Sequence, residues 1–298
     1  MRILITGATG QVGYELVRLA PVKDIELFPL GSKELDITDK ENVSAVVGKI
    51  KPDLIINSAA YTAVDKAETE VDLAYAVNAT GVENLAAACR HQGIPLFHIS
   101  TDYVFSGDQK KSSGESDVAS PINVYGASKL AGENALIELC PEHLIMRTSW
   151  VFGVHGQNFV KTMLRLGVER DELSVISDQY GSPTSAASIA RTLWHLVGRY
   201  QNIGQLPWGV YHYCGAPVVS WHQFAEQVVQ KASELGLMAK VPFVKAINQS
   251  EYPTPAKRAS WSVLSCEKMQ TTFGISQSDW EKELFQVFYE LASEHRSA

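Results

Sequence analysis

Cysteine is scarce in this sequence. There are four in 298 residues, Cys89, Cys140, Cys214 and Cys266. None forms a C-x-x-C pair or has a histidine at zinc-ligand spacing. The chain is also long enough to bury a core without staples, so we expect no disulfide scaffold and no metal site, and read the four as buried free thiols. Positive charge is short as well, with 26 Lys and Arg against 33 Asp and Glu, a formal net charge of -7. An extended surface for phosphate backbones needs clustered cations, so no nucleic-acid partner is expected, which leaves room only for a local basic pocket for a small anion. No run approaches 18 apolar residues. The opening stretch from Arg2 to Thr6 is cut by Gly7 and Gly10, too short for a signal-peptide core, so the expectation is a cytoplasmic protein with no membrane span. Gly/Ser linkers, low-complexity tracts and internal repeats are missing too. The remaining composition, 45% hydrophobic and 20% charged, excludes disorder.

What is present is a beat. Short apolar runs recur at Ile3-Leu4-Ile5, Ile25 to Leu30, Leu54-Ile55-Ile56, Leu96 to Ile99 and Leu144-Ile145-Met146. Helical stripes lie between them: Val12, Leu16 and Leu19 before Pro21, and Val43, Val46, Val47 and Ile50 behind a Thr38 to Glu41 capping box. Strand and helix in alternation predict an α/β protein, a doubly wound parallel sheet of the Rossmann type, with ligands at the carboxyl ends of its strands. After Trp150 the alternation loosens. A helix is expected around Phe159 to Leu166, a strand near Leu173 to Ile176, a helix after Pro183, then Tyr211-His212-Tyr213 and a Ser220-capped helix. We therefore divide the chain into a dinucleotide-binding domain, 1–149, and a smaller mixed α/β substrate lobe, 150–298. The two are interleaved, with part of 175–200 going to the first domain, and pack around a cleft.

Gly7, Gly10 and Gly13 make a G-x-x-G-x-x-G between the first strand and the first helix. Gly7 permits the turn, Gly10 admits a pyrophosphate to the backbone, and Gly13 lets helix and strand pack closely. The second strand ends Leu30-Gly31-Ser32-Lys33, with no acid for a ribose 2'-hydroxyl. Ser32 and Lys33 suit a 2'-phosphate, so NADPH is favoured and NADH is left open. Asp36-Ile37 follows, placed either to edge an adenine or, through Asp36, to cap the next turn.

Tyr125 and Lys129 lie four apart in a segment that reads as helical after Pro121. A lysine about 4 Å from a phenol interacts by ~4 kcal/mol at an effective dielectric near 20, roughly three pKa units, enough to draw a tyrosine towards neutrality. Tyr125 is thus a candidate proton donor to a developing alkoxide. Thr101, at the end of the Leu96 to Ile99 strand, has a hydroxyl for a substrate oxygen.

Four stretches extend this pattern: Asn57-Ser58-Ala59-Ala60-Tyr61-Thr62-Ala63-Val64-Asp65-Lys66-Ala67-Glu68, Ser100-Thr101-Asp102-Tyr103-Val104-Phe105, Arg147-Thr148-Ser149-Trp150-Val151-Phe152 and Tyr252-Pro253-Thr254-Pro255-Ala256-Lys257-Arg258. With them, nearly the whole chain resembles the dTDP-4-dehydrorhamnose reductase family of the extended short-chain dehydrogenase/reductases. The resemblance implies NADPH-dependent reduction of dTDP-4-dehydrorhamnose to dTDP-L-rhamnose for polysaccharide synthesis. It implies Tyr125 as donor, Lys129 as its electrostatic partner and ribose ligand, and Thr101 as the hydroxyl tuning the carbonyl. Thr101, Asp102 and Trp150 fall on sugar-binding positions. Gly10, Gln11, Val12, Asp36, Ile37, Ala60, Tyr61 and Thr62 fall on cofactor-contacting ones. Asn78 resembles the superfamily's buried asparagine, with a supporting role. Arg258 matches the arginine after the Tyr-Pro-Thr-Pro stretch, and its guanidinium fork suits a diphosphate.

Where the related 4,6-dehydratases carry a glutamate for acid and base work, this chain has Tyr103, which favours simple reduction. The family's dimers are bridged by a divalent ion on three glutamates. Here Glu15 and Glu290 match, but the third position is Ala187, so no metal is assigned and a homodimer is left open. The rival readings are a reductase or epimerase of another nucleotide-linked ketosugar and a noncatalytic NADP-binding subunit.

Overall fold

Runs buried on both faces of a sheet must be apolar throughout, and the five runs above become neighbouring parallel strands. The structure, a computed structural model, describes residues 1–107 and 110–297, with side chains through residue 293. Strands β1 (Arg2–Thr6), β2 (Glu26–Leu30), β3 (Leu54–Asn57), β4 (Leu96–Thr101) and β5 (His143–Thr148) line up in the order β5-β4-β3-β1-β2. β3 and β5 are buried along their whole length. β2 lies at the edge and tolerates Pro29, which has no N–H to give a neighbour. The far edge beyond β5 is closed by a strand from the second half, Gly209–His212, parallel to it. Tyr211 and His212 thus extend the first sheet.

Ile3, Ile5, Leu54 and Ile56 pack on one face against the Gln11–Arg18 and Ala186–Ile203 helices. Leu4, Ile55 and Ile145 pack on the other against Lys40–Ile50, Gly81–Gln92 and Val124–Leu139. Both expected helices of the first half form, but the capping box does not. Asp39 caps Lys40–Ile50, accepting from the amides of Glu41 and Asn42, while the Thr38 hydroxyl turns back to Asp36. A carboxylate one residue nearer the helix outcompetes a neutral hydroxyl for the first free amides.

A second core gathers Phe152, Leu173, Val175, Phe224 and Trp280 under the Phe159–Glu169 and Trp221–Glu234 helices. Strand Glu172–Ile176 pairs in parallel with Phe243–Ile247, and Ser220 caps its helix in a reciprocal box with Gln223. All four cysteines are free and buried. They are not scattered in space, however, for Cys89 hydrogen-bonds Cys140 and Cys214 hydrogen-bonds Cys266. No helix among the described residues is long and apolar enough to cross a membrane.

Candidate active site

The chain runs from β1 to β2 on one side and continues from β3 on the other, so a crevice opens at the carboxyl ends of β1 and β3. The glycine-rich turn sits there. Gly7 has φ +66°, and a side chain on it would strike the Ala59 amide; one on Gly13 would strike the Gly7 carbonyl. Gly10 begins the Gln11–Arg18 helix with no side-chain cap and no acid in its first turn. Its free amides and the positive end of the helix form a cradle that fits a diphosphate, and a dinucleotide cofactor fits this turn. Val12 is buried beneath the cradle. The Gln11 side chain accepts a hydrogen bond from Asn158 at 3.0 Å, and His155 stacks on Tyr14 at 4.4 Å, so the second lobe braces the loop.

At the end of β2, Ser32 and Lys33 are exposed. The expectation that no carboxylate stands there needs correction: Glu34 folds back, and its Oε2 accepts from the Gly31 amide at 3.0 Å. Asp36 takes the turn-capping alternative, accepting from the Thr38 amide and hydroxyl, while Ile37 is buried in the core. Ala60, Tyr61 and Thr62 follow β3. Asn78, buried in a π-helical turn, clamps both the amide and the carbonyl of Tyr61, and also donates to Ser128 at 3.0 Å.

Asn123 caps the Val124–Leu139 helix, with the Glu68 carboxylate accepting from the Val124 amide at 2.9 Å. Gly126 lets the helix descend onto the end of β4, where a side chain would overlap the Tyr103 carbonyl. Tyr125 consequently lies beside the Thr101 hydroxyl and edge-on to Tyr103, ring centroids 5.3 Å apart. Thr101 donates to Asp102 at 2.9 Å. Burial pushes the Asp102 carboxyl up to about 7.

The lysine behaves differently from expectation. Lys129 Nζ is 2.7 Å from the Ile99 carbonyl and 3.2 Å from His98 Nε2. Burial, then the Asp102 and Tyr103 charges, push the Tyr125 phenol up rather than down, opposed by its bond with Thr101. The physical reason is direction: the Lys129 amine is spent on β4, one turn below the phenol. Burial lowers Lys129 itself to about 8, against the pull of Glu133.

Across the cleft Trp150, at φ +48°, stacks on Trp221 with centroids 3.4 Å apart and planes 7° from parallel. Asp102, Tyr103, Asn123, Trp150, Trp221 and Arg258 line one cavity. Arg258 is no free surface cation, for both its terminal nitrogens grip Asp65, at 3.0 and 2.7 Å.

This arrangement has relatives. The family model described as the RmlD substrate binding domain matches residues 1–293. The chain belongs to the RmlD family. The dTDP-4-dehydrorhamnose reductase of Aggregatibacter actinomycetemcomitans is 45% identical over 95% of this chain and 97% of its own. A solved dTDP-4-dehydrorhamnose reductase from Clostridium acetobutylicum superposes with TM-score 0.91 at 39% identity, covering 98% of this chain and all of that one. The Bacillus anthracis enzyme in complex with NADP gives 0.89 at 39% identity, with 97% and 99% covered.

Of the sequence-derived residues in this RmlD-family chain, Asp102, Trp150 and Arg258 line the cavity, Thr101 and Tyr125 lie directly beside its Asp102 and Tyr103, Lys129 is buried one helical turn from Tyr125, and the Gly7 to Gly13 turn sits at the carboxyl end of β1. Glu15, Arg18, Ala187 and Glu290 meet elsewhere, on a shared surface hollow. There Arg18 bridges Glu15 at 2.6 Å and Glu290 at 3.4 Å. With a guanidinium between two carboxylates and alanine in third place, these residues do not fit a three-glutamate cation site. Sequence reasoning missed Glu34, Asp65, His98 and Trp221. Asp65 stands in the Asn57 to Glu68 stretch without a role of its own, and Trp221 is the aromatic directly after the capping Ser220, but its partner lies 71 positions earlier by number.

Proposed function

We propose that the protein reduces the 4-keto group of dTDP-4-dehydrorhamnose to give dTDP-L-rhamnose, in the cytoplasm, for polysaccharide synthesis. The observation carrying this reading is the Tyr125 phenol beside the Thr101 hydroxyl, next to Asp102 and Tyr103, which line a cleft walled by Trp150 and Trp221. NADPH supplies the hydride when bound at the glycine-rich turn. Tyr125, held protonated by burial, gives its proton to the oxygen that becomes the C4 hydroxyl. In the ligand-free protein the Thr101 hydroxyl donates to Asp102, and it orients the substrate oxygen by turning that one proton to it. The stacked indoles offer an apolar face to the sugar and exclude water from the reacting carbon. Arg258, braced by Asp65, reaches the diphosphate. Position 103 supports reduction over dehydration, because a buried phenol pushed up to about 12 cannot do the work of a carboxylate base.

An NADPH-oxidation assay on dTDP-, UDP- and GDP-linked 4-ketosugars tests the reading. Turnover concentrated on the dTDP-6-deoxy-4-ketosugar is expected. Equal turnover on the other bases would shift the assignment to another ketosugar reductase, and none on any would leave a cofactor-binding subunit.

A further inference from the structure

A buried chain of polar groups runs from Thr6 through Asn57 and His98 to Lys129. Thr6, Asn57, His98 and Lys129 are each at most 1% exposed. Asn57 Oδ1 accepts from the Ala59 amide at 3.0 Å and from the Thr6 hydroxyl. Asn57 Nδ2 lies 3.0 Å from His98 Nδ1, and His98 Nε2 lies 3.2 Å from Lys129 Nζ.

The direction of every bond in this chain follows from its first member. A backbone amide only donates, so the end of the Asn57 side chain facing Ala59 is the oxygen, and the end facing His98 is the NH2. That NH2 donates, so His98 Nδ1 carries a lone pair. A neutral imidazole has one N–H, which then sits on Nε2 and aims at Lys129. An ammonium has donors only and meets this N–H head on, whereas an amine offers it a lone pair and still donates to the Ile99 carbonyl at 2.7 Å. Flipping Asn57 does not relieve the conflict, because it turns an NH2 towards the Ala59 N–H, which then loses its acceptor.

We propose that His98, locked as its Nε2–H tautomer by the Ala59–Asn57 bond, is a positioning residue that favours the neutral amine of Lys129 over its ammonium in the ligand-free protein. The surroundings agree. Burial, the larger cause and independent of the Lys129 charge, keeps His98 below its ordinary value, so the ring is neutral and the tautomer argument applies. Burial likewise lowers Lys129 to about 8, so the amine predominates above that pH and is a minor form below it. On its own helix Lys129 feels the Glu133 carboxylate, which favours the ammonium. From β5, however, Arg147 grips both Glu133 oxygens, with His212 of the neighbouring strand behind it at 3.4 Å. From β4 the facing group is His98 alone among the titratable contacts of the amine. The consequence rests on the reductase reading: the amine form places no cation beside the Tyr125 phenol at rest, and a ligand oxygen that accepts from Lys129 draws it towards the ammonium.

Nitrogen-15 NMR of the ligand-free full chain tests the lock without substrate, so its failure is separate from failure of the reductase reading. With the His98 signals assigned by His98→Gln, Nδ1 is expected at the unprotonated position and Nε2 at the protonated one. The reverse tautomer overturns the proposal. Lysine labelled with carbon-13 at Cε, assigned by Lys129→Met, is expected to titrate at least about one unit below an ordinary lysine; an ordinary midpoint also overturns it. Asn57→Ala frees the ring to invert without adding charge, and should raise the Lys129 midpoint by about one unit in whatever fraction folds. An unchanged midpoint in that folded variant shows that burial alone sets Lys129 and removes His98 from the role.

Discussion

Arg258 and Asp65 face each other through a two-pronged ion pair, 3.0 and 2.7 Å, that joins residues 193 positions apart across the cleft. The guanidinium is oriented before any ligand arrives. Asp65 also accepts from the Ala256 amide at 3.2 Å, so one carboxylate steadies both the loop and its arginine.

Arg258→Ala should raise KM for the dTDP-sugar ten- to a hundredfold, about 1.4 to 2.8 kcal/mol, with Kd for NADPH unchanged. Asp65→Asn should raise KM less, because the fork keeps its charge but loses its aim. Steady-state kinetics with separate cofactor titrations check both, and equal weakening of the two ligands would count against the diphosphate role.

Tyr125→Phe removes the proton donor while keeping the ring against Tyr103. Turnover should fall roughly 10²- to 10⁴-fold with NADPH binding intact. Lys129→Met should lower turnover and weaken the cofactor together, measured as kcat and Kd on the same preparation. Full turnover in the phenylalanine variant would take the proton role away from Tyr125.

Asp102 makes stability depend on pH. Well below pH 4 its carboxyl is protonated whether the chain is folded or not. As pH rises towards 7 the unfolded chain loses a proton that the folded chain retains, so stability falls, and above 7 the deficit is complete. Its size is on the order of 4 kcal/mol at most. Asp102→Asn should therefore outlast the parent in urea at pH 8, and the gap should close as pH falls below 4.

Cofactor choice should respond to two neighbours in opposite directions. Glu34 stands on the Gly31 amide where a ribose 2'-substituent would come, and Lys33 is exposed beside it. Glu34→Gln should shift the ratio of affinities towards NADPH, and Lys33→Glu towards NADH, each by roughly fivefold for one exposed charge. Competitive titration with both cofactors reads the ratio directly.

The parallel strands could be read from the sequence because burial on both faces leaves no polar positions to blur runs such as Leu54-Ile55-Ile56. The glycine-rich turn could be read because its chemistry is local to seven residues. Glu34 could not, since it returns to the strand end only by folding back on Gly31. Nor could the orientation of Lys129: spacing placed it one turn from Tyr125, but its amine is directed by His98 and a carbonyl from another strand. Trp221 and Asp65 acquire meaning only from partners far along the chain, and no window of sequence contains both members of either pair.

The strand Gly209–His212 continues its pairing through the Tyr213 amide, which donates to the Arg147 carbonyl at 3.0 Å. During synthesis β5 thus leaves the ribosome with one side bare, and it stays bare until the chain has been made past Tyr213. A parallel edge with every residue buried in the finished protein is an adhesive surface for other nascent chains. The nucleotide-binding half cannot be severed after Ser149 and kept as a free-standing module, because the piece that seals it is encoded in the other half.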